Sequence, residues 1–175
     1  PSNSWISSAE AVTRNNLNVV FVDINYDNFT INIDDLNKKI TKNTSAIMVV
    51  HLFGHPCNMQ AISKIAKKNK LKIIEDCAQS HGSMILNRKV GTFGDIASFS
   101  FYPGKNLGAY GDAGVILTKN NNLAKKCRRI ANHGGLKKHE HKLIGRNSRL
   151  DSMQSAIINV KLKHLDNFNK KRNFL

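Results

Sequence analysis

The stretch AIMVVHLFGHPCNMQAISKIAKKNKLKIIED, residues 46–76, decides the fold. It begins with the short apolar run Ala46–Val50, which is typical of a buried strand. Near its end, Leu71–Ile74 predicts another strand, which is followed by Glu75 and Asp76. Between these runs, Asn58 is suited to cap a helix that continues to about Asn69. The apolar residues of that helix recur at helical spacing and share one face: Met59, Ile62, Ile65 and Ala66. A strand, a helix and a second strand in this order predict parallel strands in an α/β fold.

Strands and helices continue to alternate on both sides of this stretch. Upstream, the β-branched run Val19–Ile24 predicts a strand, and Asp34 is expected to cap a short helix that ends near Ile40. The residues before that strand are expected to form a loop. Downstream, the pattern predicts two strands and two helices: Asp95–Phe101, Ala113–Thr118, Asn120–Ala131 and Leu150–Phe168. Together these elements predict an α/β sheet with buried, mostly parallel strands.

The composition is that of an ordinary globular domain. The chain has 175 residues, of which 41% are hydrophobic and 22% are charged, and these values argue against disorder. The longest apolar run, Ala46–Val50, ends at His51, so no membrane-spanning helix is predicted. The first residues lack the pattern of a secretory signal, and the three cysteines lack metal spacing, which suggests reduced thiols. We therefore predict a cytoplasmic protein without a membrane partner.

The net charge of +15 raises the question of a nucleic-acid partner. The lysines are spread from Lys38 to Lys171, mostly on polar helix faces or beside asparagines, as on a solvated basic surface. Aromatic residues are not interleaved with the basic ones, as they are in proteins that stack bases on aromatic rings. A basic nucleic-acid-binding domain is therefore a remote alternative, whereas a basic surface suits an anionic substrate.

Three reactive side chains lie at or just after the ends of predicted strands, where ligands bind in open α/β sheets. Asp76 ends one strand, Ser100 shares one face of another with Ser98, and the turn PGKNLG at 103–108 presents Lys105. A desolvated lysine can act as a Schiff-base nucleophile, an aspartate can keep the ring nitrogen of pyridoxal phosphate protonated, and a hydroxyl can bind the phosphate. Each feature alone also has a structural explanation, as a helix cap, a solvated lysine or a backbone contact. Their order and spacing favour the cofactor.

The remaining histidines and cysteines do not predict a metal site. The spacing of His51, His55 and His81 fits no metal motif. Cys77 lies beside Asp76, but no positioned histidine or helix N-terminus supports a thiol nucleophile there. We interpret Cys77 as a small packing residue and predict no bound metal.

Four segments together resemble one enzyme family. They are HLFGHPCNMQAISKIAKKNKLKIIEDCAQSHGS (51–83), GTFGDIASFSFYPGKNLGAYGDAGVILTKN (91–120), NHGG (132–135) and GRNSRLDSMQSAI (145–157). They resemble the DegT/DnrJ-type (EryC/StrS-like) nucleotide-sugar aminotransferases, which use pyridoxal 5′-phosphate. The resemblance extends from Pro1 to about Asn169. It implies a three-layer α/β/α fold with a mostly parallel central sheet, the large domain of fold type I transferases related to aspartate aminotransferase.

The resemblance implies five contacts with the cofactor ring. Lys105 resembles the lysine that binds the cofactor covalently and then moves the substrate proton. Asp76 resembles the partner of the ring nitrogen, and Gln79 the donor to the ring oxygen. Ala78 is expected to pack against one face of the ring, and Trp5 to stack on the other.

The resemblance also implies two contacts with the cofactor phosphate. Ser100, five residues before Lys105, resembles one phosphate ligand. Asn147 resembles an asparagine that reaches the phosphate of a neighbouring subunit, so a homodimer is expected. Arg149 and Gln154 belong to the same motif and are expected to serve the fold.

Two parts of the family pattern have no counterpart in the chain. They are the upstream Gly-Thr-x-Ala-Leu turn, which cradles the phosphate, and the smaller C-terminal domain. The chain begins with a loop and ends inside a polar helix, as a fragment of a larger protein would. We therefore interpret residues 1–175 as the central part of the large, cofactor-binding domain, which is incomplete.

The resemblance implies transfer of an amino group, with glutamate as the expected donor, to a keto group of a nucleotide-diphosphate sugar. The usual setting is sugar or surface-polysaccharide biosynthesis, and the motif around Lys105 favours C3 of the sugar over C4. A related dehydratase normally replaces the lysine, so Lys105 argues against that activity. The main alternative is a non-catalytic or regulatory homologue, against which the joint retention of Lys105, Asp76, Gln79 and Ser100 argues.

Overall fold

The computed structural model describes residues 1–174, which alternate between helices and strands. The chain divides into two units, Pro1–Phe99 and Ser100–Leu175. In chain order the elements are α1 (Ile6–Thr13), α2 (Ile33–Lys39), β1 (Ala46–Val50), a 3-10 turn (Leu52–Gly54), α3 (Met59–Asn69), β2 (Lys72–Asp76), β3 (Met84–Ile85), β4 (Arg88–Lys89), β5 (Ile96–Ser100), β6 (Gly114–Leu117), α4 (Asn121–Ala131), α5 (Ser152–Leu162) and α6 (Leu165–Phe174).

The first unit is built on parallel strands, with β2 between β1 and β5. β1 pairs with β2 so that Val50 lies opposite Asp76, and β2 pairs with β5 so that Asp76 lies opposite Ser98. Both pairings are parallel, which confirms the predicted α/β sheet. Since parallel strands end at the same edge of a sheet, Asp76 and the residues that follow β1 meet at that edge.

Helix α3 agrees with its prediction in both bounds and buried face. The side chain of Asn58 accepts a hydrogen bond from the Ala61 N–H at 3.0 Å and so caps the helix. The predicted apolar residues are all buried: Met59, Ile62, Ile65 and Ala66. They form one core with strand residues such as Val49 and Ile73, and this core holds β1 and β2 in place.

The second unit has a smaller core that includes the turn after β5. Its buried members are Phe101, Leu107, Ala109 and Ile158. Lys161 on α5 donates a hydrogen bond from Nζ to the Gly108 carbonyl at 2.7 Å. This bond fastens α5 to the glycine-flanked turn that carries Lys105.

The predicted strand at Val19–Ile24 is wrong. Only Ile24 makes a bridge, with Ile31, and the rest of the run belongs to no strand. Its backbone groups bind elsewhere, because the Asp23 N–H donates to the Asp35 carboxylate and the Phe21 carbonyl accepts from Lys39. β-Branched residues favour extended backbone, but a strand also needs a partner.

Two helix predictions need correction. The cap of α2 is Asn32, which accepts from the Asp35 N–H, rather than the predicted Asp34. The predicted helix Leu150–Phe168 is two helices, α5 and α6, with a break at 163–164. At the break, the His164 N–H donates to the Lys161 carbonyl, three residues back instead of four, and this tightens the turn.

Helix α1 and the short strands β3 and β4 were not predicted. Helix α1 replaces part of the expected loop. It has only 8 residues, none of them buried, which is shorter than the stretch over which apolar periodicity predicts a helix. The antiparallel pair β3–β4 joins Met84 with Lys89 and is too short to give a pattern. None of the helices in residues 1–174 combines the length and the apolar character that crossing a bilayer requires.

Candidate active site

Asp76 is the last residue of β2, and its carboxylate is held by two donors. Oδ2 accepts a hydrogen bond from Ser8 Oγ at 2.8 Å, and Oδ1 accepts from the Ala78 N–H at 3.1 Å. Directly after Asp76, the Cys77 N–H still donates to the Ser98 carbonyl of β5 at 2.8 Å, and the chain turns at Ala78 and Gln79. Each carboxylate oxygen therefore has one donor and retains lone-pair capacity for a further one.

Glu75, the residue before Asp76, points to the opposite face of the strand and is fully buried. Its Oε1 accepts from the amides of Phe93 and Gly94, at 2.8 and 2.5 Å. Its Oε2 accepts from the Gly91 amide at 2.7 Å and lies 3.1 Å from Nε2 of His51. Four donors satisfy a carboxylate that has no access to water, which is the condition for burying a charge at tolerable cost.

Burial alone would raise the pKa of Glu75. The hydrogen bonds from His51 and from the Gly94 and Gly91 amides outweigh burial, and they lower the pKa below its usual value. Glu75 is therefore ionised at neutral pH, and the carboxylate forms the centre of this cluster.

His51 follows β1 and is fully buried beside Glu75. Burial lowers its pKa, but contacts with the side chains of Cys57, Cys77 and Glu75 outweigh burial and raise the pKa overall. The backbone contact at Nδ1 nevertheless decides against the charged ring. The Cys57 N–H lies 3.1 Å from Nδ1 and can only donate, so Nδ1 accepts and carries no proton. The ring is thus neutral and donates its Nε2–H to Glu75.

The ligand atoms of His51, Glu75 and Cys77 lie within 4.8 Å of one another, which is close enough for a metal ion. Both nitrogens of His51 and both oxygens of Glu75 already have hydrogen-bond partners, however. Burial also raises the pKa of the Cys77 thiol, which disfavours the thiolate that binds metals. The cluster is a satisfied hydrogen-bond network. The expectation that no histidine is positioned near Cys77 is wrong, because His51 lies beside it, but full burial of the thiol is consistent with a packing role.

Gln79 lies in the loop after β2, and its orientation is set by one backbone group. The Phe53 N–H donates to Gln79 Oε1 at 2.7 Å. Phe53 adopts a positive φ of 56°, which is uncommon for a bulky residue. Since the amide oxygen faces Phe53, the NH2 group of Gln79 is the end that can donate to a ligand. Gln79 is exposed.

Trp5 precedes α1 and is 78% exposed, so its indole face is open to a ligand. Its carbonyl accepts from the Ser8 N–H at 3.1 Å, and Ser8 in turn binds Asp76. The structure therefore joins three of the predicted ring contacts, Trp5, Asp76 and Ala78, through hydrogen bonds within the first unit.

In the second unit, Tyr102 links Ser100 to Lys105 through its backbone. The Tyr102 N–H donates to Ser100 Oγ at 3.2 Å, and the Tyr102 carbonyl accepts from the Lys105 N–H at 2.9 Å. The turn is tight, since a Cβ at Gly108 would collide with the carbonyl group of Pro103. Lys105 is half-buried, and none of the ion pairs formed within residues 1–174 includes it.

Asn147, also in the second unit, is exposed and accepts a hydrogen bond from Arg149 Nε at 3.0 Å. Gln154 Oε1 accepts from the Tyr110 N–H at 2.8 Å, which fits the expected role in the fold. The structure thus places Ser100, Lys105 and Asn147 in the second unit, and the ring contacts other than Lys105 in the first. Their roles toward a ligand stay predictions.

A model of the DegT/DnrJ/EryC1/StrS aminotransferase family matches residues 1–175. The chain belongs to this family. Its similarity to the family is therefore confirmed, as is the α/β fold class that the resemblance implied.

Curated relatives in this family match nearly the whole chain. It is 48% identical over 172 residues to dTDP-3-amino-3,6-dideoxy-alpha-D-galactopyranose transaminase of Aneurinibacillus thermoaerophilus, covering 98% of the chain and 47% of the relative. It is 41% identical over 175 residues to dTDP-3-amino-3,4,6-trideoxy-alpha-D-glucose transaminase of Streptomyces venezuelae. This match covers 100% of the chain and 46% of the relative. A "pleiotropic regulatory protein" of Geobacillus stearothermophilus is 44% identical to the chain. This match covers 97% of the chain and 45% of the relative. The chain thus spans a little under half of these relatives.

Solved structures of the family agree. S. venezuelae DesV, in complex with a ketimine intermediate, has a TM-score of 0.92 at 42% identity, covering 95% of the chain and 45% of DesV. NtdA of Bacillus subtilis, with bound cofactor PMP, has a TM-score of 0.87 at 38% identity. This match covers 93% of the chain and 37% of NtdA.

Sequence reasoning missed two features of this DegT-family site. Ser8 lies 68 positions from Asp76, and no local pattern joins them. The buried pair His51–Glu75 had a signal that could have been used. Adjacent residues of a strand point to opposite faces, so of Glu75 and Asp76 one must enter the core and need a polar partner there.

Proposed function

We propose that the intact protein is an aminotransferase that uses pyridoxal 5′-phosphate and aminates a keto group of a nucleotide-linked sugar. One observation carries this proposal. This chain of the DegT family has a lysine, Lys105, on a turn held by backbone hydrogen bonds. Within the described part of the chain, Lys105 forms no ion pair.

The residues at the strand end fit the cofactor ring. Asp76 is an acceptor with lone-pair capacity to spare, which suits a protonated ring nitrogen. The free NH2 group of Gln79 suits the ring oxygen, because that oxygen is an acceptor. Trp5 offers an open aromatic face, and Ala78 is small enough for close approach. This donor set supports the ring orientation that the resemblance implies.

Ser100 fits a phosphate contact. Its Oγ accepts from the Tyr102 N–H, so its own O–H is available to donate to a phosphate oxygen. Asn147 is exposed, as a residue that acts on a neighbouring subunit must be, and this supports a homodimer. The net charge of +15 favours an anionic substrate such as a nucleotide diphosphate.

The chain's own groups have separable tasks in this reaction. When bound, pyridoxal phosphate supplies an electron sink that stabilises negative charge on the reacting carbon. Asp76 keeps the proton on the ring nitrogen that this sink requires, and Lys105 Nζ accepts the substrate proton and returns it. We further propose glutamate as donor, C3 as the aminated carbon, a cytoplasmic location and a role in deoxysugar or surface-polysaccharide synthesis.

The test is reduction of the complete protein, mixed with pyridoxal phosphate, by borohydride, followed by peptide mass mapping. We expect the phosphopyridoxyl group on Lys105 in the wild type and in Lys119→Ala, whose substitution removes an exposed lysine. Lys105→Ala should carry no such group. Absence of the modification from folded wild-type protein would contradict the proposal.

The alternative is a regulatory homologue, which the 44% identity to a protein named as regulatory favours. A second assay separates the two functions, because only the aminotransferase converts glutamate to 2-oxoglutarate when a nucleotide-diphosphate keto sugar is supplied. Cofactor binding without turnover on 3-keto or 4-keto sugars would favour the regulatory homologue.

A further inference from the structure

Two serines upstream of the strand end form a directed chain of hydrogen bonds to Asp76. Ser8 Oγ lies 2.8 Å from Asp76 Oδ2, and Ser4 Oγ lies 2.8 Å from Ser8 Oγ. An ionised carboxylate only accepts, so Ser8 must donate its single hydroxyl proton to Asp76. Ser8 has no second proton, so Ser4 must donate to Ser8. The direction is therefore Ser4 to Ser8 to Asp76.

Ser8 is the side chain on which the orientation of the Asp76 carboxylate depends. Among residues 1–174, no other side chain hydrogen-bonds that carboxylate, and the second donor is the Ala78 backbone. The carboxylate torsion of an aspartate is intrinsically broad, so one donor alone leaves it free to turn. Donors at both oxygens hold its plane in one position.

We propose that Ser8 is a positioning residue that orients the Asp76 carboxylate toward the cofactor's ring nitrogen. This inference rests on the proposed function, because only a ligand with a ring N–H gives the orientation a use. Ser8 also donates its backbone N–H to the Trp5 carbonyl, so the same turn sets the start of α1 beside the exposed indole. Ser4 supports Ser8 and acts only through it.

The test compares two cofactors on the complete protein without bound cofactor. One is pyridoxal phosphate, and the other is its analogue with carbon in place of the ring nitrogen, which has no N–H to donate to Asp76. Ser8→Ala should weaken the binding of pyridoxal phosphate about tenfold, the usual effect of losing a hydrogen bond to a charged group. Binding of the carbon analogue should change less than about twofold, because its ring makes no such bond.

Three variants complete the comparison. Ser8→Thr keeps the hydroxyl and should bind both compounds like the wild type. Ser7→Ala makes the same chemical change at an exposed neighbour on α1 and should also have no effect. Ser4→Ala removes the support of Ser8 and should weaken only pyridoxal phosphate, by about twofold to threefold. If Ser8→Ala fails to fold, the affinity of Ser4→Ala for the two compounds tests the inference instead.

The outcomes separate this inference from the proposed function. Equal loss of affinity for both compounds would show that Ser8 serves only the local fold, and unchanged affinity would show that it is dispensable. Either result overturns the inference while leaving the proposed function intact. Failure of the wild type to bind pyridoxal phosphate would overturn both.

Discussion

Replacing Glu75 by glutamine tests the buried hydrogen-bond cluster with almost no change in shape. Each carboxylate oxygen accepts from at least one backbone amide: Phe93 and Gly94 at one, Gly91 at the other. A glutamine NH2 group placed at either end therefore faces an N–H that can only donate. Each buried donor left without an acceptor costs about 1–3 kcal/mol, and one or two are lost, so we expect about 3 kcal/mol of destabilisation.

The assay is urea denaturation of the complete protein without cofactor, followed by circular dichroism. Glu10→Gln is the matched control, because Glu10 is half-exposed in its ion pair with Arg14 and should change stability by less than about 0.5 kcal/mol. If the unfolding free energy of Glu75→Gln also lies within about 1 kcal/mol of the wild-type value, the cluster does not need a carboxylate. The argument from four donors would then fail.

Acidification gives an independent check with a defined sign. The pKa of Glu75 is lowered in the folded protein, so the unfolded chain binds the proton first as the pH falls. The stabilisation is fully present above the unfolded pKa of about 4.3 and is lost as the pH falls through the lower folded pKa. The difference in unfolding free energy between the wild type and Glu75→Gln should therefore shrink below about pH 4. A difference that grows on acidification would refute an ionised Glu75.

Two further predictions concern the fold. Asn58→Ala removes the acceptor for the Ala61 N–H and should cost about 1 kcal/mol in the same denaturation assay, whereas Asn58→Asp keeps an acceptor and should cost less. Cys77 is fully buried and burial raises its thiol pKa, so a disulfide reagent at neutral pH should leave it unmodified in the native protein and modify partly exposed Cys127. Rapid native modification of Cys77 would contradict its packing role.

Features encoded within a few residues could be predicted from the sequence. Helix α3 is the clearest case, since its cap at Asn58 and its buried face lie within one continuous stretch. The acid at the end of β2 could be located for the same reason, because the predicted strand at 71–74 is followed within two residues by Asp76. The parallel pairing of the strands could also be predicted, because strands that alternate with helices favour it.

Features that depend on distant partners could not be predicted. The run Val19–Ile24 has strand composition, but its carbonyl and amide groups bind Lys39 and Asp35 instead of a strand. Asp34 and Asn32 are both good caps, and only the backbone geometry selects Asn32. The contact from Ser8 to Asp76 spans 68 positions, and no local sequence pattern predicts it.

The strand end combines a buried carboxylate with an available one. Strand alternation turns Glu75 into the core, where four donors immobilise it, and turns Asp76 to the other face, where two donors leave room for a third. His51 binds both residues, because its Nε2–H donates to Glu75 and its backbone N–H donates to the Asp76 carbonyl at 3.1 Å. The backbone of Asp76 is thus tied to the residue that satisfies the Glu75 carboxylate. Damage to the Glu75 cluster should therefore weaken cofactor binding even though Glu75 itself faces away from Asp76.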